Sequence, residues 1–268
     1  MQTMTPDRGR AIPKGGSSKI ATKLRKSAYV FRKEGAPRLL ELSALSLIEP
    51  IRVLRLRAAI SFDATRALSK LSSGKRGRGL FIDCGSNIGQ GYAYFSRYYK
   101  GDRFDYVLIE PNVQCFPYLE ALRRDKVRIE IIRKAASTKI GFARLFGAPS
   151  GEDDPIYQGR SIVAEHNGSL YDNADPAAEF VETFSLSQLI LEKSKSYDLI
   201  ALKMDVEGAE YAILEDILEK GAHRQLFAAY VEFHSLYMRQ LERAAKRALE
   251  ERIRRSLESE SVIFREWI

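Results

Sequence analysis

The sequence is poor in the residues that mark several classes of protein. Its two cysteines, Cys84 and Cys115, fall in two different segments that we predict to be core, so a disulfide framework is not expected. This usage favours a reducing cytoplasm as the default location. No run approaches 18 apolar residues, and no apolar signal-peptide core lies near the start. Neither a membrane span nor a secretory leader is therefore predicted.

The glycine pattern G-x-G-x-x-G of dinucleotide-binding loops is also missing. Where such a loop is expected, the chain reads Asp83-x-Gly85-x-Asn87-x-Gly89 instead. An acidic side chain in front of the first glycine would repel a pyrophosphate at close range. The sequence therefore disfavours an NAD-dependent oxidoreductase.

Acidic residues are scarce at the start of the chain, so the net charge of +8 is unevenly spread. Residues 1–80 carry a formal charge of +13, whereas the remainder carries −5. A basic arm of this kind commonly meets phosphates, in nucleic acid, on an anionic lipid surface or in a sugar diphosphate. The alternatives are a solvated tail and a mitochondrial transit peptide.

The strongest positive signal is the stretch around the glycines. A hydrophobic run reaches Asp83, glycines follow at 85 and 89, and the next residues read as the start of a helix. Strand, tight turn and helix form the first unit of a doubly wound sheet, and the helix N-terminus offers free N–H groups. An acid in this place suits a ligand with an amine and a sulfonium, which favours the methyl donor S-adenosylmethionine. A turn without any ligand, and a site for another nucleotide, are the alternatives.

A second strand is predicted at 106–110, and Pro111 ends it. Glu110 stands at its carboxyl end, where an acid accepts hydrogen bonds from ribose hydroxyls in nucleotide-binding sheets. A surface glutamate is the alternative. After a third strand at 127–132, the small residues 135–137 predict a turn against which an adenine ring could lie.

An acidic stretch follows the buried strand that begins at Leu199. Asp205, Glu207 and Glu210 stand within six residues at the end of that strand. Their mutual repulsion predicts a partner such as a cation, a hydroxyl or a lysine.

A third candidate group lies at the end of the strand predicted at 227–234. Glu232 and His234 are two residues apart, so they share one face of that strand. Open α/β sheets place their sites at such carboxyl ends. Histidine titrates near neutrality and serves as a base or a metal ligand, with a structural histidine as the alternative.

Three segments together resemble the FkbM-type family of S-adenosylmethionine-dependent methyltransferases in order and spacing: Phe81–Gly89, Ile109–Asn112 and Lys203–Glu210. The segment Asp-Val-Glu-Gly-Ala-Glu at 205–210 is the specific one, because the glycine stretch alone marks only the wider superfamily. The resemblance covers residues 79–235 and leaves out the basic arm. It implies O-methylation of a hydroxyl on a sugar, glycan or secondary metabolite.

The candidate donor-binding residues are Asp83, Gly85, Ser86, Asn87, Gly89, Glu110, Pro111 and Ala136. The chain departs from the family pattern in two respects. The turn at 135–137 lacks the acid often found near the adenine amine. The chain also ends about one strand short of the usual seven-stranded sheet. We therefore expect a final hairpin that is incomplete or is completed by a partner chain.

The predicted fold is α/β, a Rossmann-like doubly wound and mostly parallel sheet of the class I methyltransferase type with an N-terminal helical extension. We divide the chain into a basic, partly disordered arm at 1–36, N-terminal helices at 37–78 and a methyltransferase domain at 79–268. The helices should cover one side of the sheet or build a lid. Residues 147–176 should form a mobile loop that faces the acceptor.

Methyl transfer to a hydroxyl requires that donor and acceptor are aligned and that the hydroxyl proton is removed. We predict that Asp205 or His234 takes this proton and that Glu232 orients the pair. In a variant, Asp205 and Glu232, together with His234, bind Mg²⁺, which lowers the pKa of the hydroxyl. Mg²⁺ prefers oxygen ligands, so the histidine counts against the variant.

Two other functions are compatible with the sequence. An RNA or protein methyltransferase would use the basic arm, although neither zinc-ligand spacing nor interleaved aromatic and basic residues support it. A non-catalytic donor-binding scaffold is the second. The expected partners are a small-molecule or glycan acceptor, an anionic or phosphate-bearing surface for the arm, and, with the incomplete sheet, a second copy of the chain.

Overall fold

The computed structural model describes residues 50–123, 127–147, 159–164, 179–234 and 240–267. They fall almost entirely within one compact unit, Ile51–Ile268. The predictions for the arm at 1–36 and for the helix before Pro50 lie outside the described residues, as does most of the loop predicted at 147–176. None of the described helices is both long and apolar enough to span a bilayer.

The described chain begins in a helix, α1, over residues 50–73. Nine strands follow: β1 Gly79–Cys84, β2 Phe104–Ile109, β3 Ile129–Ile132, β4 Ala135–Ser137, β5 Gly141–Leu145, β6 Glu179–Ser185, β7 Leu199–Met204, β8 Leu226–Val231 and β9 Ile263–Glu266. The α-helices between them are α2 Gln90–Phe95, α3 Phe116–Glu120, α4 Leu186–Lys193, α5 Glu210–Glu219 and α6 Gln240–Ser259. Two 3₁₀ turns, Val113–Cys115 and Ala222–Gln225, precede α3 and β8.

Six strands form one parallel sheet in the order β3-β2-β1-β7-β8-β9. The strand order reverses between β1 and β7, which is the switch point where open α/β sheets bind their ligands. A smaller sheet in the order β4-β6-β5 stands apart from it. The doubly wound prediction is confirmed.

The central strands are buried on both faces, which explains why β1, β2, β7 and β8 read as continuous apolar runs. On one face of the sheet, α1 and α2 supply the covering core, including Ile60, Leu71 and Phe95. On the other face, α4, α5 and α6 do so, with Ile190 and Leu214 among the buried residues. The helix before the first strand therefore covers one side of the sheet, as expected.

One local prediction was wrong. Residues 135–137 form strand β4, which pairs in parallel with the end of β6, and not a turn. The last strand, β9, pairs in parallel with β8, and the described sheet has six strands, in agreement with a sheet one strand short of seven. Completion of a final hairpin by a partner chain stays a prediction. The 20-residue helix α6 between β8 and β9 provides the crossover that a parallel pair requires.

A buried ion pair ties α1 to the sheet. Asp63 is fully buried and accepts two hydrogen bonds of 3.0 Å from the Arg265 guanidinium, and the Tyr230 hydroxyl lies 3.4 Å from Asp63 Oδ2. We expect Asp63→Ala to lower the free energy of unfolding by about 3 kcal/mol, because it leaves these donors without their acceptor. Urea denaturation measures the loss.

The matched control is Glu266→Ala in the same strand as Arg265. The Glu266 side chain is 49% exposed and lies 3.6 Å from Arg52, so its loss should cost less than about 1 kcal/mol. Equal losses in the two variants would contradict the importance of the buried pair.

Candidate active site at the carboxyl ends of the strands

The ends of β1 and β7 touch through their backbones. Gly85 has a φ of +79°, and its N–H donates to Ile109 O at 3.0 Å. A Cβ built on Gly85 would lie 1.7 Å from Asp205 O, and Asp205 N donates to Cys84 O at 3.0 Å. Only glycine fits here, because both the backbone conformation and the neighbouring carbonyl exclude a side chain.

The Lys203 side chain bridges the ends of β1 and β7. Its ammonium donates to Gly85 O at 2.9 Å and lies 3.2 Å from Asp83 Oδ1 and 3.3 Å from Asp205 Oδ2. Burial alone would lower the pKa of Lys203, but the attraction of Asp83 and Asp205 outweighs burial and raises it. Lys203 is therefore charged at neutral pH, and for Asp205 it is one of the three kinds of partner that the acidic stretch predicted, namely a cation, a hydroxyl or a lysine.

Asp83 supports the turn from inside the protein. Its carboxylate is fully buried, and a Cβ added at Gly91 in α2 would lie 2.6 Å from Oδ2. The first turn of α2 therefore packs directly against the Asp83 carboxylate, which also forms an ion pair with Lys203. A direct contact between Asp83 and a donor molecule stays a prediction.

The next residues hold the turn in shape. Ser86 Oγ donates to Asp83 O at 2.7 Å and accepts from Ile109 N at 3.0 Å, so it links the ends of β1 and β2. Asn87 has a φ of +46° and Gly89 a φ of +92°. A non-glycine residue in the left-handed region is uncommon, and such strain is concentrated at functional turns.

Glu110 is the carboxylate that faces this turn. It is 7% exposed, and its two oxygens accept from Asn87 N and Asn112 N, both at 2.8 Å. Burial raises the pKa of Glu110 to about 7, although the two N–H donors and Lys203 oppose the rise. The predicted position of the acid at the end of β2 is confirmed, and the carboxylate is preorganised by two backbone amides.

The two remaining predicted donor residues are Pro111 and Ala136. Pro111 is half-buried and follows Glu110 directly. Ala136 is 4% exposed and belongs to the hydrophobic core of one sheet face, within β4. A contact of either residue with a donor stays a prediction.

His234 is surrounded by carboxylates at the ends of β7 and β8. Its Nδ1 lies 3.0 Å from Glu210 Oε1, which also accepts from the His234 backbone N–H at 2.9 Å. Its Nε2 lies 3.2 Å from Glu207 Oε2, 3.6 Å from Asp205 Oδ1 and 4.0 Å from Glu232 Oε1. The structure thus brings together the predicted catalytic residues Asp205, Glu232 and His234.

The pKa values of His234 and Glu232 indicate which residue of this cluster can accept a proton. Burial alone would lower the pKa of His234, but Glu210, Glu207 and Asp205 raise it to about 10. The imidazole is therefore protonated at neutral pH and has no lone pair with which to accept a proton. Burial and the charge of Asp205 raise the pKa of Glu232 to about 7, although its side chain is still 34% exposed. A carboxylate with such a pKa suits proton transfer near neutrality.

Asp205, Glu207 and His234 can each offer one ligand atom to a cation, and these atoms lie within 4.8 Å of one another. In this set Glu207 stands in place of Glu232, which the sequence-based Mg²⁺ hypothesis named as a ligand. The Glu210 carboxylate at Nδ1 resembles the second partner that metal-bound histidines usually have. The histidine still counts against Mg²⁺, and the metal role stays a prediction.

A cleft of about 540 Å³ opens at the opposite end of the sheet. Its walls include the early residues of β1 and β2, namely Leu80, Asp105 and Tyr106, together with Tyr197 before β7. None of the predicted site residues lines it. The chemistry-bearing side chains are therefore at the carboxyl ends of the strands and not in this cleft.

Sequence reasoning missed Lys203 as a site residue. The signal was present, since Lys203 is the one charged residue of the apolar strand β7, just before its end. Gly91 was likewise read only as the start of a helix, because its closeness to Asp83 depends on the three-dimensional turn.

Comparison with known proteins gives two matches. Residues 83–258 match the family model of the methyltransferase FkbM domain. A crystal structure of methyltransferase FkbM from Methylobacillus flagellatus KT is similar, with 14% identity and a TM-score of 0.40. The match covers 65% of this chain and 37% of that one, so the chain spans well under half of its structural relative. No curated protein matches the chain at a significant level.

Proposed function

Because the chain belongs to the FkbM methyltransferase family, we propose that it transfers a methyl group from S-adenosylmethionine to a hydroxyl of a sugar, glycan or secondary metabolite. The observation that carries the proposal is the position of Lys203. One buried ammonium contacts both the glycine turn, at Gly85 O, and the acidic cluster, at Asp205. A donor-side loop and a proton-accepting cluster are thus in contact at the switch point of the sheet.

The residues of the turn fit the proposed donor. An ionised carboxylate has room for about four hydrogen bonds, and backbone amides occupy two of the positions on Glu110. The others can accept from two ribose hydroxyls. When bound, S-adenosylmethionine supplies an electrophilic methyl group. Gly85, Asn87 and Gly89 form the turn that would hold it beside the N-terminal end of α2.

On the acceptor side, the chain must hold a hydroxyl and remove its proton. Glu232, with a pKa of about 7, can take the proton, while the protonated His234 balances the charges of the surrounding carboxylates. Asp205 lies between Lys203 and His234 and orients the cluster. This division differs from the sequence-based assignment, in which Glu232 was the orienting residue.

Isothermal titration of the full chain with S-adenosylmethionine tests the proposal. We expect micromolar binding that is lost in Glu110→Ala, because the ribose hydroxyls lose their acceptor. The matched control is Glu130→Ala in β3, whose side chain is 50% exposed and pairs with Lys193, and it should bind like the parent. Absence of binding by the folded parent protein would overturn the proposal. A screen of sugar and other hydroxylated acceptors for S-adenosylhomocysteine release then tests the acceptor class.

Donor binding should depend on the ionisation of Glu110. Its folded-state pKa of about 7 exceeds the ordinary 4.5, so the protein without ligand favours the protonated acid below pH 7. Ribose hydroxyls need the ionised acceptor. The dissociation constant should therefore rise about tenfold as the pH falls from 7 to 5.5. In Glu110→Gln the dependence should flatten, whereas Glu232→Gln, at the other carboxylate with a pKa of about 7, should retain it.

By itself the raised pKa of Glu110 stabilises the fold fully below about pH 4.5, and this contribution disappears as the pH rises through 7. As the pH falls, the titration of Glu110 should therefore weaken donor binding while it increases the stability of the fold. Titration of Glu110 itself therefore does not destabilise the fold at low pH. A flat binding profile in the parent would contradict the role of Glu110.

The Mg²⁺ variant has its own test. If Asp205, Glu207 and His234 hold a cation that the reaction needs, EDTA should abolish turnover and added Mg²⁺ should restore it. Turnover that is unchanged by EDTA would remove the variant and leave the base assignment in place.

A further inference from the structure

Helix α1 carries an apolar stripe on its outward side, which no other element of the described residues covers. Its inward positions, such as Ile60 and Leu71, are buried against the sheet. Its outward positions include three large apolar residues, Ile51, Leu54 and Phe62, which are 56%, 68% and 62% exposed. With the exposed Ala58, these four residues lie on one side of the helix at spacings of three and four residues, and we call them the outer stripe.

Basic residues flank the outer stripe, and one of them, Arg52, lies 3.6 Å from the half-exposed Glu266 of β9. The helix contains five cationic side chains: Arg52, Arg55, Arg57, Arg66 and Lys70. Its single acid, Asp63, is fully buried and bound to Arg265 on the opposite side. The Arg66 guanidinium lies 6.0 Å from the Phe62 ring, so a cation sits directly beside the apolar surface.

We propose that the outer stripe of α1 binds a membrane surface that contains anionic lipids. An apolar stripe flanked by cations is the arrangement with which interfacial helices enter the boundary between head groups and acyl chains. The long arginine side chains can reach the lipid phosphates while their stems cover apolar surface. Each cation near such a surface strengthens binding, and salt weakens it.

The charge pattern favours lipid over the other occupants. Nucleic acid would use the cations but little of the exposed aliphatic surface of Ile51 and Leu54, because its main contacts are made through phosphates. A soluble apolar partner would gain nothing from five cations. The sequence before α1 adds ten Lys/Arg against four Asp/Glu in residues 1–49, which would favour the same anionic surface. An anionic lipid surface uses both features of α1.

Vesicle co-sedimentation of the full chain tests the proposal. Two vesicle types are compared, phosphatidylcholine alone and phosphatidylcholine with about one third phosphatidylserine. We expect binding to the second type that weakens as salt rises, and little binding to the first. The double variant Leu54→Ser/Phe62→Ser should bind the anionic vesicles at least about tenfold more weakly, because the apolar part of the contact is lost.

The matched control is Phe142→Ser, which removes an equally exposed aromatic ring, 76% exposed, from β5. It should bind like the parent. Arg55→Gln/Arg66→Gln should lower binding to anionic vesicles only. Unchanged binding in Leu54→Ser/Phe62→Ser would overturn the proposal, since the basic segment before α1 would then account for the contact. An equal drop in Phe142→Ser, or parent binding only to a short single-stranded RNA, would overturn it as well. Circular dichroism of each variant verifies that it is folded.

Discussion

Replacing Gly85 with alanine should weaken S-adenosylmethionine binding at least about a hundredfold and lower stability by about 4 kcal/mol. The added methyl group would lie 1.7 Å from Asp205 O, so the ends of β1 and β7 would have to separate. Separation breaks the hydrogen bond from Asp205 N to Cys84 O and displaces Gly85 O from the Lys203 ammonium. The turn proposed to hold the donor and the cluster proposed to accept the proton would thus be disturbed together.

The control must separate the effect of this steric overlap from the energetic cost of placing alanine in a left-handed backbone conformation. Gly221 has a φ of +69°, close to the +79° of Gly85. The atom nearest to a Cβ added at Gly221 would be 3.8 Å away, so no overlap arises there. Gly221→Ala should therefore cost only about 1 kcal/mol and leave donor binding unchanged. Thermal unfolding and calorimetric titration measure both effects, with titration restricted to temperatures at which circular dichroism shows a folded Gly85→Ala protein. Equal behaviour of the two variants would contradict the described contact between the strand ends.

The sequence predicts the parallel sheet well, because its strands depend on local patterns. A buried parallel strand is an apolar run, and β1 and β7 each end in a distinctive polar stretch that begins with Asp83 or Asp205. The grouping of Asp205, Glu232 and His234 follows from the rule that strand ends of one sheet meet at one edge. Their positions therefore needed no knowledge of side-chain contacts.

Features that depend on distant partners were not predictable in the same way. Strand β4 has three residues and pairs with β6, which lies more than 40 residues further along the chain. Its small side chains resemble those of a turn. The parallel pairing of β9 is an exception, since the long helical pattern of α6 between two strands favours a crossover and therefore a parallel pair.

The roles within the acidic cluster also depend on three-dimensional surroundings. Histidine has an ordinary pKa near neutrality, which made His234 a candidate base. Three carboxylates around its ring raise that pKa to about 10, and Glu232 becomes the group that titrates near pH 7. A sequence gives residue types and spacing, but this exchange of roles follows from burial and from distances of 3 to 4 Å.

Glu232→Gln should lower kcat by about 10²- to 10⁴-fold, because the amide cannot accept the proton of the acceptor hydroxyl. Donor binding should not change, since none of the contacts described for the glycine turn or for Glu110 involves Glu232. In the parent, kcat should rise with pH through about 7, as the Glu232 carboxylate becomes ionised, and then level off. The variant should lack this rise. Release of S-adenosylhomocysteine with an acceptor found by screening measures both parameters.

Asp205→Asn separates the two carboxylate hypotheses. Asp205 contacts Lys203 as well as His234. Replacing its carboxylate with the asparagine amide should therefore weaken donor binding and slow turnover together. A base at Glu232 predicts a pure kcat loss in Glu232→Gln and a mixed loss in Asp205→Asn. If Glu232→Gln kept the parent kcat and its pH profile while Asp205→Asn lost turnover, the base would be Asp205, as one form of the sequence-based hypothesis holds. Glu258→Gln, at an exposed position of α6, controls for the general effect of removing a carboxylate.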